Sequence, residues 1–494
     1  MKTHLTILCA MFLCVNGYSQ QNREDLKPFT PPALTQAKGI LKNAKSLPTK
    51  SFYKSKENWD YIIDTTWGPG QPLNEKLEIF DTYAEVLTTS YIKFQTLGLN
   101  ETKWDSIVSD YRSKITDTTS RGGFAALMGR FAYYLYDGHT HAFDNVVLNS
   151  PVNQGTPIMN MGWPSHFGAV TTTSEDSTCL ILRTIENHPL GLEPGDIILG
   201  YEGVPWKDLV DELLASGIPL SAWNAGTKSA SRHIELGSAG GNWHLFDTID
   251  IVKYNTKDTV HLDVSPLQNL PVETGSPWTG GENLMWNNEQ LDIPGVSMIT
   301  ADQLTERSVS YGIIEGTNIG YIYLVAEVCC NMNSLPYDTD LELSQALADL
   351  ENTDGLIIDI RFNWGGNEWE FNQTEAILFN QTFYTLDFLY RCNTTDFTLC
   401  PPATDERFYD EITGKPTTLY DRPIAVLAGP SCGSSGDDMA YKFSYHPMVQ
   451  FFGKSTSGTL SGAQVVETFP DWELTYGWFD GIEISHPEIP LNGR

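Results

Sequence analysis

The sequence predicts a multidomain α/β protein, and three observations lead to this fold class. The chain has 494 residues, which is too long for one hydrophobic core and predicts roughly two to four domains. Apolar residues recur at helical spacing over 74–136, whereas 150–265 holds short strand-like runs between glycines and prolines. From Gly312 onward, strands and helices alternate, as in a domain with a largely parallel sheet.

The charge balance excludes two classes of partner. The chain carries 31 basic and 62 acidic residues, a formal net charge of -31. Such a surface repels polyanions, so we expect neither nucleic acid nor an anionic membrane surface as a partner.

The N-terminus has the pattern of an export signal over 1–19. Lys2 precedes an apolar run over 5–15, and Gly17 and Ser19 are the small residues that a signal peptidase requires. The run is too short to span a bilayer, and no later stretch is long enough. Neither early cysteine lies in a lipoprotein signal, so we expect a soluble, exported protein, periplasmic or secreted.

Six cysteines remain after the signal, and an oxidising destination permits disulfides. Cys392 and Cys400 flank a polar loop and are the favoured pair. Adjacent Cys329 and Cys330 are poorly placed to bond each other and are expected on opposite faces of a strand end. No cysteine or histidine cluster has zinc spacing, so a structural metal is not expected.

The first predicted domain, residues 20–150, is a small helical bundle. Its helical pattern runs from about Asn74 to Tyr136, and Asn100 can cap the second helix. The last helix ends in an Asp-Gly turn that leads directly into His139, Thr140 and His141.

The second predicted domain, residues 151–265, is rich in short strands. It contains GLEPGDIILGYEGVPW over 191–206, followed by a helical pattern. This stretch resembles the PDZ core, in which a G-L-x-x-G-D-x-I turn leads into a strand and then a helix. PDZ domains bind extended peptide ends by strand addition. Peptide recognition and a purely bracing role both remain open for this module.

The third predicted domain, residues 266–494, is the α/β domain. Residues 266–310 are expected to be a connector or an edge hairpin. The strands and helices that follow are predicted at 319–325, 341–350, 355–360, 369–378, 424–427, 437–445 and 449–453.

Two turns of this domain carry candidate chemistry. VLAGPSCGSSGD (426–437) reads as a strand, a tight turn and a helix start, which presents a serine hydroxyl beside outward-pointing backbone N–H groups. DIRFNWGG (359–366) ends a buried strand in a glycine turn whose backbone can approach a ligand closely. An ordinary strand-to-helix loop uses the same residue types, so these two turns alone leave a purely structural interpretation open.

The ordered set YGIIEGTNIGYIYL, GLIIDIRFNWGG, AVLAGPSCGSSGD and FFGKSTSG resembles the C-terminal-processing (tail-specific) and tricorn-core serine proteases. The DGHT turn and the PDZ-like core fit the same family. The resemblance implies a crotonase-like α/β core and no cofactor. It also implies Ser434 as nucleophile, with Ser431 and Ser435 as local competitors. The oxyanion donors would be the backbone N–H groups of Ser435 and Gly366.

The general base separates the subgroups of this family. Tail-specific enzymes use a lysine after the serine helix, but Thr459 stands in that place and Lys454 where they carry an acid. A phosphate loop at GKST is excluded because Met448 replaces its first glycine. The tricorn subgroup uses a Ser-His pair at the end of the helical domain. Thr140 and His141 match that pair, and His139 is the rival base.

The orienting acid has a candidate near the C-terminus. In the tricorn subgroup this acid is a glutamate just before a Pro-Asp dipeptide, and here Glu483 precedes Pro487-Glu488. The G-[IV]-x-P-D motif usual in the family is missing.

These residues predict an exported serine endopeptidase acting on peptides. Two other hypotheses stay open. One is a non-catalytic ligand- or peptide-binding protein on the same scaffold, motivated by the missing lysine and the uncertain acid. The other is a scaffold protein that uses only the PDZ-like module.

Overall fold

The computed structural model describes residues 64, 67–148, 168–173, 178–184, 187–205, 208, 226, 246–269, 293–299, 306–327, 338–363, 365–366, 376–400, 409–414, 420–466 and 469–483. The predicted export signal, the cysteine pair 329–330 and most of the helix predicted over 369–378 lie outside the described residues.

The described residues include six α-helices. They are α1 (Leu73–Ser90), α2 (Glu101–Ser113), α3 (Arg121–Tyr133), α4 (Asn145–Leu148), α5 (Thr339–Asp349) and α6 (Ser435–Phe443), with a 3-10 helix over Ser265–Asn269. Asn100 caps α2 as predicted, because its side-chain oxygen accepts the Lys103 N–H at 3.0 Å. Ser120 caps α3 in the same way.

The described strands, numbered in chain order, form four sheets, so the protein is a mixed α/β protein with several sheets. One sheet has the order β2-β3-β4-β6-β7, with β5 paired to β4: Ala169–Thr173, Cys179–Thr184, Ile197–Tyr201, Thr248–Val252, Thr259–Asp263 and Val204–Pro205. A second has the order β13-β12-β14, with β19 paired to β12: Leu399–Cys400, Phe383–Arg391, Tyr409–Ile412 and Asp480–Glu483.

The other two sheets carry the candidate site. The histidine sheet has the order β1-β18-β17: His141–Asp144, Trp472–Gly477 and Ala463–Val465. The serine sheet has the order β16-β15-β11-β10-β9-β8: Val449–Gly453, Ile424–Ala428, Gly355–Asp359, Ile319–Leu324, Val309–Ile313 and Val296–Ser297.

The serine sheet is largely parallel, as the alternation of strands and helices predicted. Strands β10, β11, β15 and β16 pair in parallel, and β9 and β8 add an antiparallel edge. Asp359 pairs with Leu427, so β11 and β15 end side by side. The carboxyl ends of parallel strands are where α/β folds place ligands, and the two candidate turns start there.

The first three helices share one core with strands from the other end of the chain. Trp104 and Phe131 of this cluster are buried together with Trp472 and Leu474 of β18. The rings of Phe124 and Trp472 lie 5.1 Å apart at their centroids. This shared core brings the turn that follows α3 to the histidine sheet. The predicted domain boundaries stay predictions.

Cys392 and Cys400 form the predicted disulfide, with Cα atoms 5.3 Å apart. Three strands of the sheet around them, β12 to β14, lie between β11 and β15 in the chain, and this sheet was not predicted from sequence. No described helix is both long and apolar enough to cross a bilayer.

Candidate active site

Ser434 lies at the point where β15 turns into α6. Its backbone has φ +57° and ψ -115°, a region that a side chain normally disfavours. The turn before it is closed by the Cys432 N–H donating to the Gly429 carbonyl at 2.9 Å. Neither Ser431 nor Ser435, the local competitors, has a positive φ. The strained strand–turn–helix geometry that presents a nucleophile is therefore found at Ser434.

The glycine turn after β11 packs directly on the serine turn. Gly365 has φ +83°, and a Cβ built on it would lie 2.4 Å from the Gly433 carbonyl oxygen and 2.7 Å from Ser434 Cβ. The Gly433 N–H donates to the Asn363 carbonyl at 2.5 Å. No larger residue fits at Gly365, so backbone meets backbone beside the serine.

The two predicted oxyanion donors are adjacent, and one of them already has an acceptor. The Gly366 N–H donates to Ser435 Oγ at 3.1 Å, and Ser435 Oγ donates back to the Gly366 carbonyl at 3.0 Å. The Ser435 N–H belongs to the first turn of α6, where the helix itself supplies no acceptor. The Ser435 hydroxyl thus occupies one of the two predicted oxyanion donors.

A buried carboxyl supports the glycine turn from behind. Glu327 Oε1 accepts from Asn363 Nδ2 at 2.6 Å, and Asn363 Oδ1 accepts the Gly365 N–H at 2.7 Å. Complete burial raises the pKa of Glu327 to about 7. The sequence analysis did not single out Glu327, because it lies outside both motifs.

The histidine turn over 137–141 is held by side chains. Buried Asp137 accepts the His139 N–H at 3.1 Å, the Ser461 hydroxyl at 2.8 Å and the Thr140 hydroxyl at 2.9 Å. Thr140 Oγ1 in turn accepts the Gly477 N–H at 3.0 Å. The Thr140 hydroxyl therefore braces the turn through Asp137 and Gly477.

His141 begins β1 and is buried between two oxygen-bearing residues of β18. Its Nε2 lies 2.9 Å from Glu473 Oε1, and its Nδ1 lies 2.9 Å from Thr475 Oγ1. The ring stacks on Phe143 at 4.5 Å between centroids. Because Thr475 Oγ1 donates its proton to the His139 carbonyl at 2.7 Å, it accepts from His141 Nδ1–H.

Glu473 and Thr475 were missed by the sequence reasoning. They are two residues apart on one strand, so their side chains share a face, and His141 is paired with Thr475 across the sheet. The alternation of apolar and polar residues in WELTYG predicts a strand. Only the pairing of this strand with β1 shows that its side chains contact His141.

His139, the rival base, is buried within the same network. Its Nδ1 lies 3.3 Å from Ser461 Oγ. Since the Ser461 proton goes to Asp137, Nδ1 is the donor to Ser461. Burial lowers the pKa of His139, with the Asp137 charge acting in the opposite direction. A neutral imidazole that braces Ser461 fits this position.

One segment joins the histidine turn to the serine helix. Asp437, three residues after Ser434, accepts the Thr456 hydroxyl at 2.7 Å and the Thr459 N–H at 3.0 Å. Thr459 Oγ1 accepts the Gly138 N–H at 3.2 Å. Burial raises the pKa of Asp437 well above its usual range. Thr459, which stands where related enzymes carry lysine, is therefore a structural link here.

Glu483 and Lys454 lie elsewhere in the chain fold. Glu483 ends β19, where it pairs with Leu386 of β12 in a different sheet from His141. Lys454 is exposed just after β16. The carboxylate in contact with His141 is that of Glu473, and the role of Glu483 stays a prediction.

Residues 318–486 match the model of peptidase family S41. The match to this segment indicates a serine-type peptidase. No curated protein sequence matches the chain. The match begins just before β10 and includes the glycine turn, the serine turn and the strand of Glu473 and Thr475.

Two solved structures of mature CPAF share the fold over most of the length. Mature CPAF superposes with a TM-score of 0.57 at 13% identity, covering 85% of this chain and 91% of that chain. CPAF complexed with lactacystin gives 0.56 at 12% identity, covering 84% and 91%. A putative peptidase from Parabacteroides merdae gives 0.42 at 12% identity, covering 84% and 86%.

Proposed function

We propose that the chain is an exported serine endopeptidase in which Ser434 is the nucleophile and His141 the general base. The observation that carries this proposal is the strained Ser434 at the start of α6, packed against the Gly365-Gly366 turn. The substrate is a peptide or protein, as for a peptidase in general.

In the first step, Ser434 Oγ attacks the peptide carbonyl carbon and its proton passes to His141. In the present structure the two ring nitrogens face Thr475 Oγ1 and Glu473 Oε1. In this step Nδ1 leaves Thr475 Oγ1 and faces Ser434 Oγ to receive the proton, while the Nε2–H donates to Glu473. Glu473 is the acid that we assign to the imidazolium so formed.

The tetrahedral oxyanion is held by the N–H groups of Gly366 and Ser435. The substrate oxygen replaces the Ser435 hydroxyl as acceptor of the Gly366 N–H. When the intermediate collapses, the C–N bond breaks and His141 returns its proton to the leaving amine. Water then hydrolyses the ester on Ser434 by the same proton route.

The domain layout is also proposed: a helical bundle, a PDZ-like module and a crotonase-like core. Support for the PDZ-like module comes from Asp196 in its glycine turn. This buried carboxylate accepts the Tyr254 N–H at 2.8 Å and the Glu193 N–H at 2.9 Å, which ties the turn to the sheet. Export is inferred from the N-terminal pattern, and the N-terminal residue of the secreted protein tests it.

Labelling with a fluorophosphonate probe tests the activity. We expect an adduct on Ser434 in the purified mature protein, located by mass spectrometry, and none in Ser434→Ala. Ser431→Ala is the matched control in the same turn and should be labelled like the wild type. A folded wild-type protein without an adduct would favour the non-catalytic binding protein instead.

A further inference from the structure

Glu327 brings a third strand of the serine sheet to the candidate site. It lies three residues beyond the end of β10, next to the turn that follows β11, and forms an isolated parallel bridge with Gly366. The residue is completely buried. A Cβ built on Gly366 would lie 1.7 Å from the Glu327 carbonyl oxygen, so the two backbones are in direct contact.

The backbone of Glu327 fixes the peptide group that carries the oxyanion donor. Its N–H donates to the Gly365 carbonyl at 3.1 Å. The Gly365 carbonyl and the Gly366 N–H belong to one peptide group, and in a trans peptide they point in opposite directions. Holding the carbonyl toward Glu327 therefore directs the Gly366 N–H away from it, to the side of Ser435 Oγ.

The side chain of Glu327 fixes the same turn through Asn363. An amide side chain has an oxygen that accepts and a nitrogen that donates. The carboxyl oxygen of Glu327 accepts from Asn363 Nδ2, which leaves Asn363 Oδ1 for the Gly365 N–H. Without that acceptor the amide can rotate by half a turn, which would set Nδ2 against the Gly365 N–H. The carboxyl group thus selects the orientation of the amide.

The burial of Glu327 costs stability, which argues against a role in packing alone. Its Oε2 has no hydrogen-bond partner among the described residues, and a buried unpartnered oxygen is unfavourable. The charged and titratable groups nearby are Lys442, itself paired with Asp438, and the Cys432 thiol. The charge of Asp359, which is paired with Arg361, also raises the pKa of the Cys432 thiol.

We propose that the Glu327 side chain is a positioning residue that orients the Gly366 N–H for the oxyanion by fixing Asn363. The inference rests on the proposed function of Ser434 and names a residue outside the motifs of the family resemblance. Glu327 acts through Asn363 and touches no reacting atom.

The test compares Glu327→Ala and Glu327→Gln by the kinetics of fluorophosphonate labelling at Ser434. The phosphoryl oxygen of the probe takes the place of the oxyanion. We expect Glu327→Ala to lower the maximal labelling rate about tenfold, with the half-saturating probe concentration changed less than about twofold. Glu327→Gln keeps the acceptor for Asn363 and should stay within about threefold of the wild type.

A matched control separates positioning from stability. Glu342 of α5 accepts the N–H groups of Ser308 and Val309, so it supports the same sheet away from Ser434. Glu342→Ala should lower the melting temperature and leave the labelling rate unchanged. Equal loss of labelling rate in Glu342→Ala and Glu327→Ala would overturn the proposal, as would full activity of Glu327→Ala.

A second variant covers the case in which Glu327→Ala does not fold. Asn363→Asp places a second carboxyl group against that of Glu327. The two groups repel each other, so the labelling rate should fall about fivefold or more. Adding Glu327→Gln restores a donor and acceptor pair, so the double variant should recover. Absence of recovery contradicts the proposal. If the wild type forms no Ser434 adduct at all, the proposed function fails together with the role of Glu327. If the wild type is labelled and the double variant does not recover, only the role of Glu327 fails.

Discussion

The serine turn and the histidine turn are built in different ways. Around Ser434, backbone atoms contact backbone atoms: Gly365 leaves no space for a Cβ, and Gly433 donates to the Asn363 carbonyl. Around His141, side chains make the contacts: Asp137 accepts three hydrogen bonds, and Thr475 and Glu473 meet the ring. The proposed nucleophile side depends on residue size, whereas the proposed base side depends on hydroxyl and carboxyl chemistry.

The largest expected effect is on the base side. His141→Ala should lower the rate of Ser434 labelling by about 10²- to 10⁴-fold, because no group remains to take the proton. His139→Ala is the matched control, since its ring is buried in the same network but braces Ser461. We expect it to lower the melting temperature and to retain more activity than His141→Ala. The opposite ranking would make His139 the base.

The next effect tests the nucleophile side. Gly365→Ala should lower the labelling rate about 10²-fold, because a methyl group would collide with the Gly433 carbonyl and displace the oxyanion donors. Gly429→Ala lies in the opposing turn, and its methyl group would be 3.7 Å from the nearest Arg361 atoms. That control should label at the wild-type rate. Comparable rates for the two variants would show that the turns are not rigidly packed.

A smaller effect is expected at the acid. Glu473→Gln removes the charge that stabilises the imidazolium and should lower the labelling rate about tenfold. Asp471→Asn is the control, because this exposed carboxylate precedes the same strand and pairs with Arg121. It should have little effect on labelling. A Glu473→Gln variant with the wild-type labelling rate would contradict the role of Glu473 and would favour Glu483 as the orienting acid.

A separate effect is on stability rather than on labelling rate, and it comes from Glu327. Its carboxyl pKa is raised by burial from 4.5 to about 7, so the folded state binds the proton more tightly than the unfolded state. Its contribution is full below about pH 4.5 and is lost as the pH rises to about 7, by on the order of 3 kcal/mol. Glu327→Gln should lack this slope in chemical denaturation at pH 5 and pH 8. Equal slopes in both proteins would contradict the raised pKa.

The strand, turn and helix around Ser434 could be predicted from sequence because their determinants are local. The strand, the glycines and the serine of 426–437 are contiguous, and the serine sheet follows from the alternation around them. The base side depends on pairing between distant strands, so Glu473 and Thr475 could not be assigned to His141 from sequence. Glu327 was missed for the same reason. The contact of the Ser435 hydroxyl with the Gly366 N–H depends on side-chain rotation, which no pattern encodes.

The pairing of β1 with β18 has a consequence for synthesis on the ribosome. His141 and Thr475 are separated by 334 residues, and the N-terminal helices complete their core with residues of the same late strand. Contacts of such long range form slowly, and a chain leaves the ribosome from its N-terminus. A nascent chain that has not reached Trp472 lacks both partners of His141. The proposed site around His141 can therefore form only after Thr475 has been made.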